Sequence, residues 1–311
     1  MNNLISIIVT AANEPKTVRK CIRFLLDPEI NGLKGKKDIQ LELITVIPDT
    51  ETNKEAEKEI NTYKNNIVSW KKIIDPWKGK PTALNSAFKQ AKGSYLVLTD
   101  GDVFFTKNSL FNLLNKILKN NLYLGVTGKP ISQDNRGNFW VYIGHLLAEA
   151  ANHKREQTLI KKKQFFVMSG YIMVIKNIHL KIPVDCLSDD AYISYAILKE
   201  NGSIAYEPTA CVYVKYPKNI KDWFNQKSRS VGGYMQLWTY GIVTPKTKVR
   251  NIWKELEYFY FPIKFARNFK ELIWSVYLYP LRFYLWLRIF WEQKILKKEF
   301  YKTWVRIEST K

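Results

Sequence analysis

The chain has 311 residues, and its 49 Lys and Arg against 28 Asp and Glu give a formal net charge of +21. An apolar content of 46% with 25% charged residues excludes a disordered or fibrous protein, and the length suffices for one large domain or two smaller ones. Three widely spaced cysteines (Cys21, Cys186, Cys211) and only three histidines argue against a disulfide scaffold, a zinc finger or a His-based metal site, and fit a reducing cytosol.

Residues 5–10, ISIIVT, predict a buried strand that runs into the loop Ala11-Ala12-Asn13-Glu14-Pro15. Next, KTVRKCIRFLL places Val18, Ile22, Leu25 and Leu26 on one helical face. LELITVIPD predicts a second strand ending at Asp49, the polar stretch after it a helix with its loops, and VSWKKIID a third, weaker strand. KPTALNSAFKQAKG predicts a helix with Pro81 in its first turn and Gly93 as its C-terminal cap. SYLVLTDGD repeats the pattern of a strand ending in an acidic loop. Strand and helix alternate to residue 118, which predicts a mostly parallel α/β sheet with helices on its faces. Ligands of such sheets bind outside the carboxyl ends of the strands, where Asn13, Glu14, Asp49, Asp100 and Asp102 fall. Beyond 120 the pattern loosens. FFVMSGYIMVIK predicts two strand pieces around Ser169-Gly170, SDDAYISYAILKENG a capped helix, and IAYEPTACVYVKYP another strand.

The last 60 residues, 252–311, hold 12 basic and 6 acidic side chains, a modest share of the +21, but 18 of the chain's 44 aromatic residues. Trp and Tyr favour the lipid headgroup region and long basic side chains snorkel there, so this tract predicts amphipathic interface helices, broken by Pro262 and Pro280. The competing reading is a buried helical subdomain. The apolar run at 272–281 lies between Glu271 and Arg282, short of the ~18 to 20 residues a spanning helix needs. The start of the chain has neither the basic region nor the cleavage site of a signal peptide. The excess charge has three candidate partners: nucleic acid, an anionic membrane surface or a phosphorylated substrate.

Asp100-Gly101-Asp102 sets two carboxylates on a tight turn past a buried strand. Such a pair can hold Mg²⁺ or Mn²⁺ against a diphosphate. The triplet on its own also fits an ordinary Asp-Gly turn. The ordered series SIIVTAANEP, ITVIPD and KGKPTALNSAFKQAKGSYLVLTDGD resembles the opening half of the inverting family 2 glycosyltransferases of the GT-A fold, a Rossmann-like α/β architecture. Thr10-Ala11-Ala12 departs from the Pro-Ala-Tyr often found there. The resemblance implies that Glu14 and Asp49 line the nucleoside pocket and that Lys80 lies near the ribose and diphosphate. It places Asp100 by the ribose and metal, and makes Asp102 a metal ligand, with Mg²⁺ or Mn²⁺ as cofactor. Lys80 also precedes a helix N-terminus, a place suited to phosphate.

In the second half, Ser188-Asp189-Asp190 has two readings. Ser188 can cap a helix whose dipole the two Asp complement. LSDDAYISYAILKENGSIAYEPTA also resembles the family's catalytic-base motif, which makes Asp190 the general base and Asp189 an orienting neighbour. Ser169-Gly170 resembles the small-residue loop beside the acceptor site. Residues 226–230, QKSRS, resemble the QxxRW segment of membrane-linked members, with Gln226 and Arg229 in place, Ser230 replacing the Trp, and Gly233 following. The absent indole weighs against processive synthesis.

The resemblance thus implies a catalytic domain over 1–220 and a Q-x-x-R segment with interface helices over 221–311. The expected activity is metal-dependent, inverting transfer from a nucleotide-diphosphate sugar to a hydroxyl of a lipid-linked or saccharide acceptor. The expected location is peripheral, on the cytoplasmic face of an anionic membrane. Transfer to a polyprenyl phosphate, and a non-catalytic module binding sugar nucleotide or nucleic acid, are the alternatives. No RRM, KH or helix-turn-helix signature supports nucleic acid, and none is expected as partner.

Overall fold

The structure is a computed structural model that describes residues 3–160, 165–244, 247, 259–295 and 307–310. The chain divides into two compact units: residues 1–131, 155–184 and 193–214 form the first, and 132–154, 185–192 and 215–311 the second. The second unit takes two segments before residue 193 as well as everything from 215 onward.

The first unit is built on an eight-stranded sheet. Its strands are β1 (Asn3–Thr10), β2 (Ile39–Val46), β3 (Ser69–Ile73), β4 (Tyr95–Asp100), β5 (Phe104–Phe105), β6 (Tyr123–Ser132), β7 (Met173–Lys176) and β8 (Ser203–Val214). The spatial order is β3-β2-β1-β4-β7-β6-β8-β5. β3, β2, β1 and β4 run parallel, while β7 is antiparallel to both β4 and β6, and β5 to β8. β1 and β2 are buried almost without alternation, as strands covered on both faces require. The exception in that core is Glu42 on β2, wholly buried opposite Ser6. The Ser6 hydroxyl and the Lys92 N–H each donate to it at 2.6 Å, and Lys71 lies 3.3 Å away.

Helices α1 (Val18–Leu26), α2 (Pro28–Asn31), α3 (Thr50–Thr62), α4 (Lys80–Gln90) and α5 (Ser109–Leu118) connect these strands. α1 buries Val18, Cys21, Ile22, Leu25 and Leu26, the face read from its spacing. α4 carries Pro81 in its first turn but ends at Gln90 with Ala91 as cap. Gly93 is therefore not the cap: its N–H donates to Ser6 Oγ at 2.8 Å, where the chain enters β4. Register fixes the location of the site. Thr10 stands opposite both Val46 and Asp100, so the loops after β1, β2 and β4 leave one edge of the sheet together.

Later come α6 (Phe139–Ile160), α7 (Asp189–Lys199), α8 (Ile220–Thr239), α9 (Phe261–Phe265) and α10 (Phe269–Phe290). α6, α8 and α10 meet in the second unit around Tyr142, Ile143, Leu146, Trp223, Phe224, Val231, Leu278, Leu285 and Ile289. Some of the polar groups inside it are paired: Arg136 binds Glu271 at 2.8 Å, and Ser275 bonds both Tyr142 and the Pro262 carbonyl at 2.6 Å, whereas the buried Trp223 indole N–H has no hydrogen-bond partner among the described residues. Pro280 does not break the tail helix, contrary to the sequence expectation, and α10 passes through it. Proline removes one backbone hydrogen bond, but Ser275 and Leu278 before it and Leu285 and Ile289 after it are all buried, which holds both halves in place. Of the aromatic tract, residues 252–258, 296–306 and 311 lie outside the described residues.

Candidate active site

Three of the four parallel strands, β1, β2 and β4, deliver polar groups to the carboxyl edge of the first unit. Asn13 adopts a left-handed backbone, φ 52°, after β1, and donates its N–H to Asp49 Oδ2 at 2.7 Å. Asp49 Oδ1 caps α3 by accepting the Thr52 N–H at 2.8 Å, while Thr52 Oγ1 accepts the Glu14 N–H at 2.8 Å. Burial pushes the Asp49 carboxyl up, but donors from Thr52 and Asn13 outweigh it and hold the group below its ordinary value. Asp49 thus ties the first two loops together, and both its oxygens already accept from backbone.

Asp100 ends β4. Lys80, the first residue of α4, places Nζ 2.7 Å from Asp100 Oδ1 and 3.0 Å from Oδ2. Thr10 Oγ1 donates to Oδ1 at 2.8 Å. The turn folds tightly back, with Gly101 N–H donating to Thr10 O at 2.9 Å and Val103 N–H to Asp100 O at 3.2 Å. Glycine is required at 101, because a Cβ there would lie 2.5 Å from Ala11 Cβ and 2.7 Å from Glu14 Oε2. Beneath the turn, Cys21 Sγ donates to Asp100 O at 3.4 Å. Burial raises the Cys21 thiol strongly, and the carboxylates of Asp102, Glu14 and Asp100 raise it further. Glu14, Asp100 and Asp102 therefore share one small region, with Glu14 buried and the two Asp half-buried.

Ser169-Gly170 lies at the same edge. Ser169 accepts the Ile172 N–H at 3.2 Å and donates its own N–H to Thr127 Oγ1 at 3.0 Å. Thr99, the neighbour of Asp100, donates its hydroxyl to Tyr171 O at 3.0 Å, which fixes this turn to the end of β4.

The second unit carries the other predicted residues. Asp189 and Asp190 begin α7, both half-buried. Asp190 Oδ1 accepts the Ser188 hydroxyl at 2.5 Å and the Ala191 N–H at 2.8 Å. The Ser188 hydroxyl is thus a donor to the carboxylate, not an acceptor at the helix cap. Gln226, Arg229, Gly233 and Gln236 recur at helical spacing along one face of α8. At Gly233 a Cβ would fall 2.3 Å from Ser188 Cβ. Gln236, buried, accepts the Leu187 N–H at 2.8 Å and donates to Asp185 O at 2.9 Å. The Q-x-x-R face of α8 therefore clamps the segment from which Asp190 emerges. Gln226 and Arg229 are half-buried, and no hydrogen bond or ion pair ties either of them among the described residues.

Sequence reading passed over Thr10, Thr52, Ser188 as donor, and Gln236. Each acts through strand register or helix packing, which leaves no local signature, although Gln236 does continue the 226–229–233 spacing.

The donor set at the acidic turn suits a hard divalent cation: two carboxylates at a strand end, with a glycine between them that lets the turn close. Among the described residues no group of three or more His, Cys, Asp and Glu side chains could hold a metal. The pair could supply two oxygen ligands to such a cation.

A family model described as Glycosyl transferase family 2 matches residues 6–182. The poly-beta-1,6-N-acetyl-D-glucosamine synthase of Staphylococcus epidermidis is 24% identical over 254 residues, covering 78% of this chain. The chain spans 58% of that relative's length. Among solved structures, a mannosyltransferase from Pyrobaculum calidifontis, in complex with GDP-Man and Mn²⁺, superposes with a TM-score of 0.57 at 15% identity, covering 98% of this chain and 83% of its own. That likeness establishes the fold as GT-A.

Proposed function

The chain belongs to glycosyl transferase family 2, and from that premise we propose that it moves a sugar from a nucleotide-diphosphate donor to a hydroxyl of a lipid-linked or saccharide acceptor, with inversion and with a divalent metal. The observation that carries this reading is the turn Asp100-Gly101-Asp102, closed against Glu14 and faced by Lys80 at the carboxyl edge of the sheet. Asp102 and Asp100 would hold Mg²⁺ or Mn²⁺. A divalent ion bound there supplies positive charge that stabilises the leaving diphosphate.

The chain's own residues do the rest. Lys80 pairs with the diphosphate, while Glu14 and the Asp49-pinned loop wall the nucleoside. Asp190 takes the acceptor's proton as its oxygen bonds to the anomeric carbon and the bond to the diphosphate breaks. The Ser188 hydroxyl and Ala191 N–H, both on Oδ1, fix the orientation of that carboxylate. Asp189 orients its neighbour. Ser169-Gly170 and Gln226 serve the acceptor side, and Arg229, with its planar fork, takes up anionic phosphate.

No helix among the described residues is long and apolar enough to cross a membrane. α10 nevertheless exposes Phe269, Ile273, Tyr277, Phe283, Tyr284 and Phe290 along its length, and its single acid, Glu271, is buried. An apolar face of this length supports peripheral attachment to a membrane, and the net charge of +21 favours an anionic one.

The relative's product makes a growing saccharide the first acceptor to test, and the structural neighbour makes Mn²⁺ the first metal. A thermal-shift screen of UDP-, GDP- and dTDP-sugars with and without Mn²⁺ tests the reading. Stabilisation by one nucleotide only with metal is expected. No response to any of them refutes it.

A further inference from the structure

Asp100 is already occupied by the chain itself. Lys80 Nζ contacts both its carboxylate oxygens, at 2.7 and 3.0 Å, and Thr10 Oγ1 holds Oδ1 from across the strand pair. The Lys80 and Asp100 side chains are each 26% exposed, so solvent and ligands reach the pair. Thr10 is 8% exposed and fixed by strand pairing. The two partners differ in kind: one is a mobile cation, the other an immobile neutral donor.

A divalent cation that approaches Asp100 meets an ammonium group within hydrogen-bond distance of the same oxygens, and like charges this close repel strongly. A lysine stem has four flexible carbons, so its ammonium can leave without backbone movement. An arriving diphosphate offers it a second, doubly charged anion to pair with. We infer that Lys80 is the resident counter-ion of Asp100 and surrenders it only to a diphosphate, so that divalent-cation binding at the acidic turn is conditional on nucleotide binding. Thr10 is a positioning residue in this exchange: its hydroxyl keeps the carboxylate oriented after Lys80 has moved, and being neutral it does not repel the incoming cation. This inference rests on the reading of the acidic turn as the donor's metal site.

The test is calorimetric titration of Mn²⁺, alone and with saturating UDP or GDP, whichever the protein binds. Wild type, Lys80→Met, Lys80→Arg and Asp100→Asn are compared, each first checked for a cooperative melt. Wild type should bind Mn²⁺ weakly alone and at least tenfold more tightly with nucleotide. Lys80→Met should bind Mn²⁺ alone roughly fivefold or more tightly than wild type, yet bind the nucleotide more weakly. Lys80→Arg, which keeps the charge, should stay as weak as wild type toward Mn²⁺ alone. Unchanged or reduced affinity of Lys80→Met for Mn²⁺ alone overturns the inference. Asp100→Asn separates the two levels. If its Mn²⁺–nucleotide binding equals that of wild type, Asp100 is not a metal ligand and the inference falls. The functional reading, which also puts Asp102 on the metal, then stands and is refuted only by the absence of any metal-dependent nucleotide response.

Discussion

Replacing Gly233 by Ala tests whether the face of α8 sets the geometry of the proposed base. The added Cβ would lie 2.3 Å from Ser188 Cβ, 3.0 Å from its backbone N and 3.2 Å from its Cα. Ordinary contact begins at 3.4 Å, so the Cβ pair must separate by about 1 Å. None of the three atoms is the far end of a flexible side chain, and Gln236 pins the same segment at Leu187 and Asp185. Overpacking of this kind costs roughly 1–3 kcal/mol of stability. A displacement of about 1 Å in a catalytic group costs about 100-fold in rate. The displaced residue is the one whose hydroxyl holds Asp190 at 2.5 Å. We therefore expect kcat to fall about 100-fold in Gly233→Ala while nucleotide affinity changes less than about twofold, since the three atoms nearest the added Cβ all belong to Ser188 and none to Arg229, Lys80 or Asp100. Urea unfolding, calorimetry with nucleotide and Mn²⁺, and steady-state transfer assays give the three quantities. Gly137→Ala is the control, because a Cβ there meets nothing within 4 Å. A kcat within about threefold of wild type, or nucleotide affinity falling in step with kcat, refutes the argument.

Asp190→Asn should lose about 10²- to 10⁴-fold in transfer rate with donor binding intact, and near-full activity removes Asp190 as base in favour of an acceptor that is already an anion. The pair Phe283→Ser and Leu287→Ser, both exposed on α10, should weaken flotation with anionic vesicles about tenfold or more. Undiminished flotation means that another surface carries the attachment. Burial first, then the carboxylates of Asp189, Asp190 and Asp185, push the Cys186 thiol up to about 12. Only the thiolate reacts, so alkylation at pH 8 should run roughly three orders of magnitude slower than at an ordinary thiol and rise about tenfold per pH unit. Peptide mapping should find half-buried Cys211 modified first, and equal labelling of Cys186 contradicts its burial.

The sequence alone carried the parallel half of the fold and the donor edge. Buried strands covered on both faces leave continuous apolar runs, and the loops that follow them carry the acids, so Glu14, Asp49, Asp100 and Asp102 are legible in the sequence as strand-end groups. α6 was not legible, because its buried Tyr142, Ile143 and Leu146 belong to a core completed by α8 and α10. Pro280 misled for the same reason. A local rule predicts a break, and burial on both sides of the proline overrides it.

The function of the site residues divides along the same line. Residue type and order sufficed to single out Lys80 and the acidic turn, since both sit in one run of sequence. That Lys80 holds Asp100, that Thr10 supports it from β1, and that Asp49 accepts the Asn13 N–H depend on contacts across 20 to 90 residues. Likewise Ser188-Asp189-Asp190 was readable as a helix start, but only packing of Gly233 and Gln236 gives it a fixed position. Sequence determined which chemical groups the chain owns, because chemistry is local to a residue. Tertiary structure decided which of them meet, because hydrogen bonds and close contacts between distant segments exist only once the segments have packed.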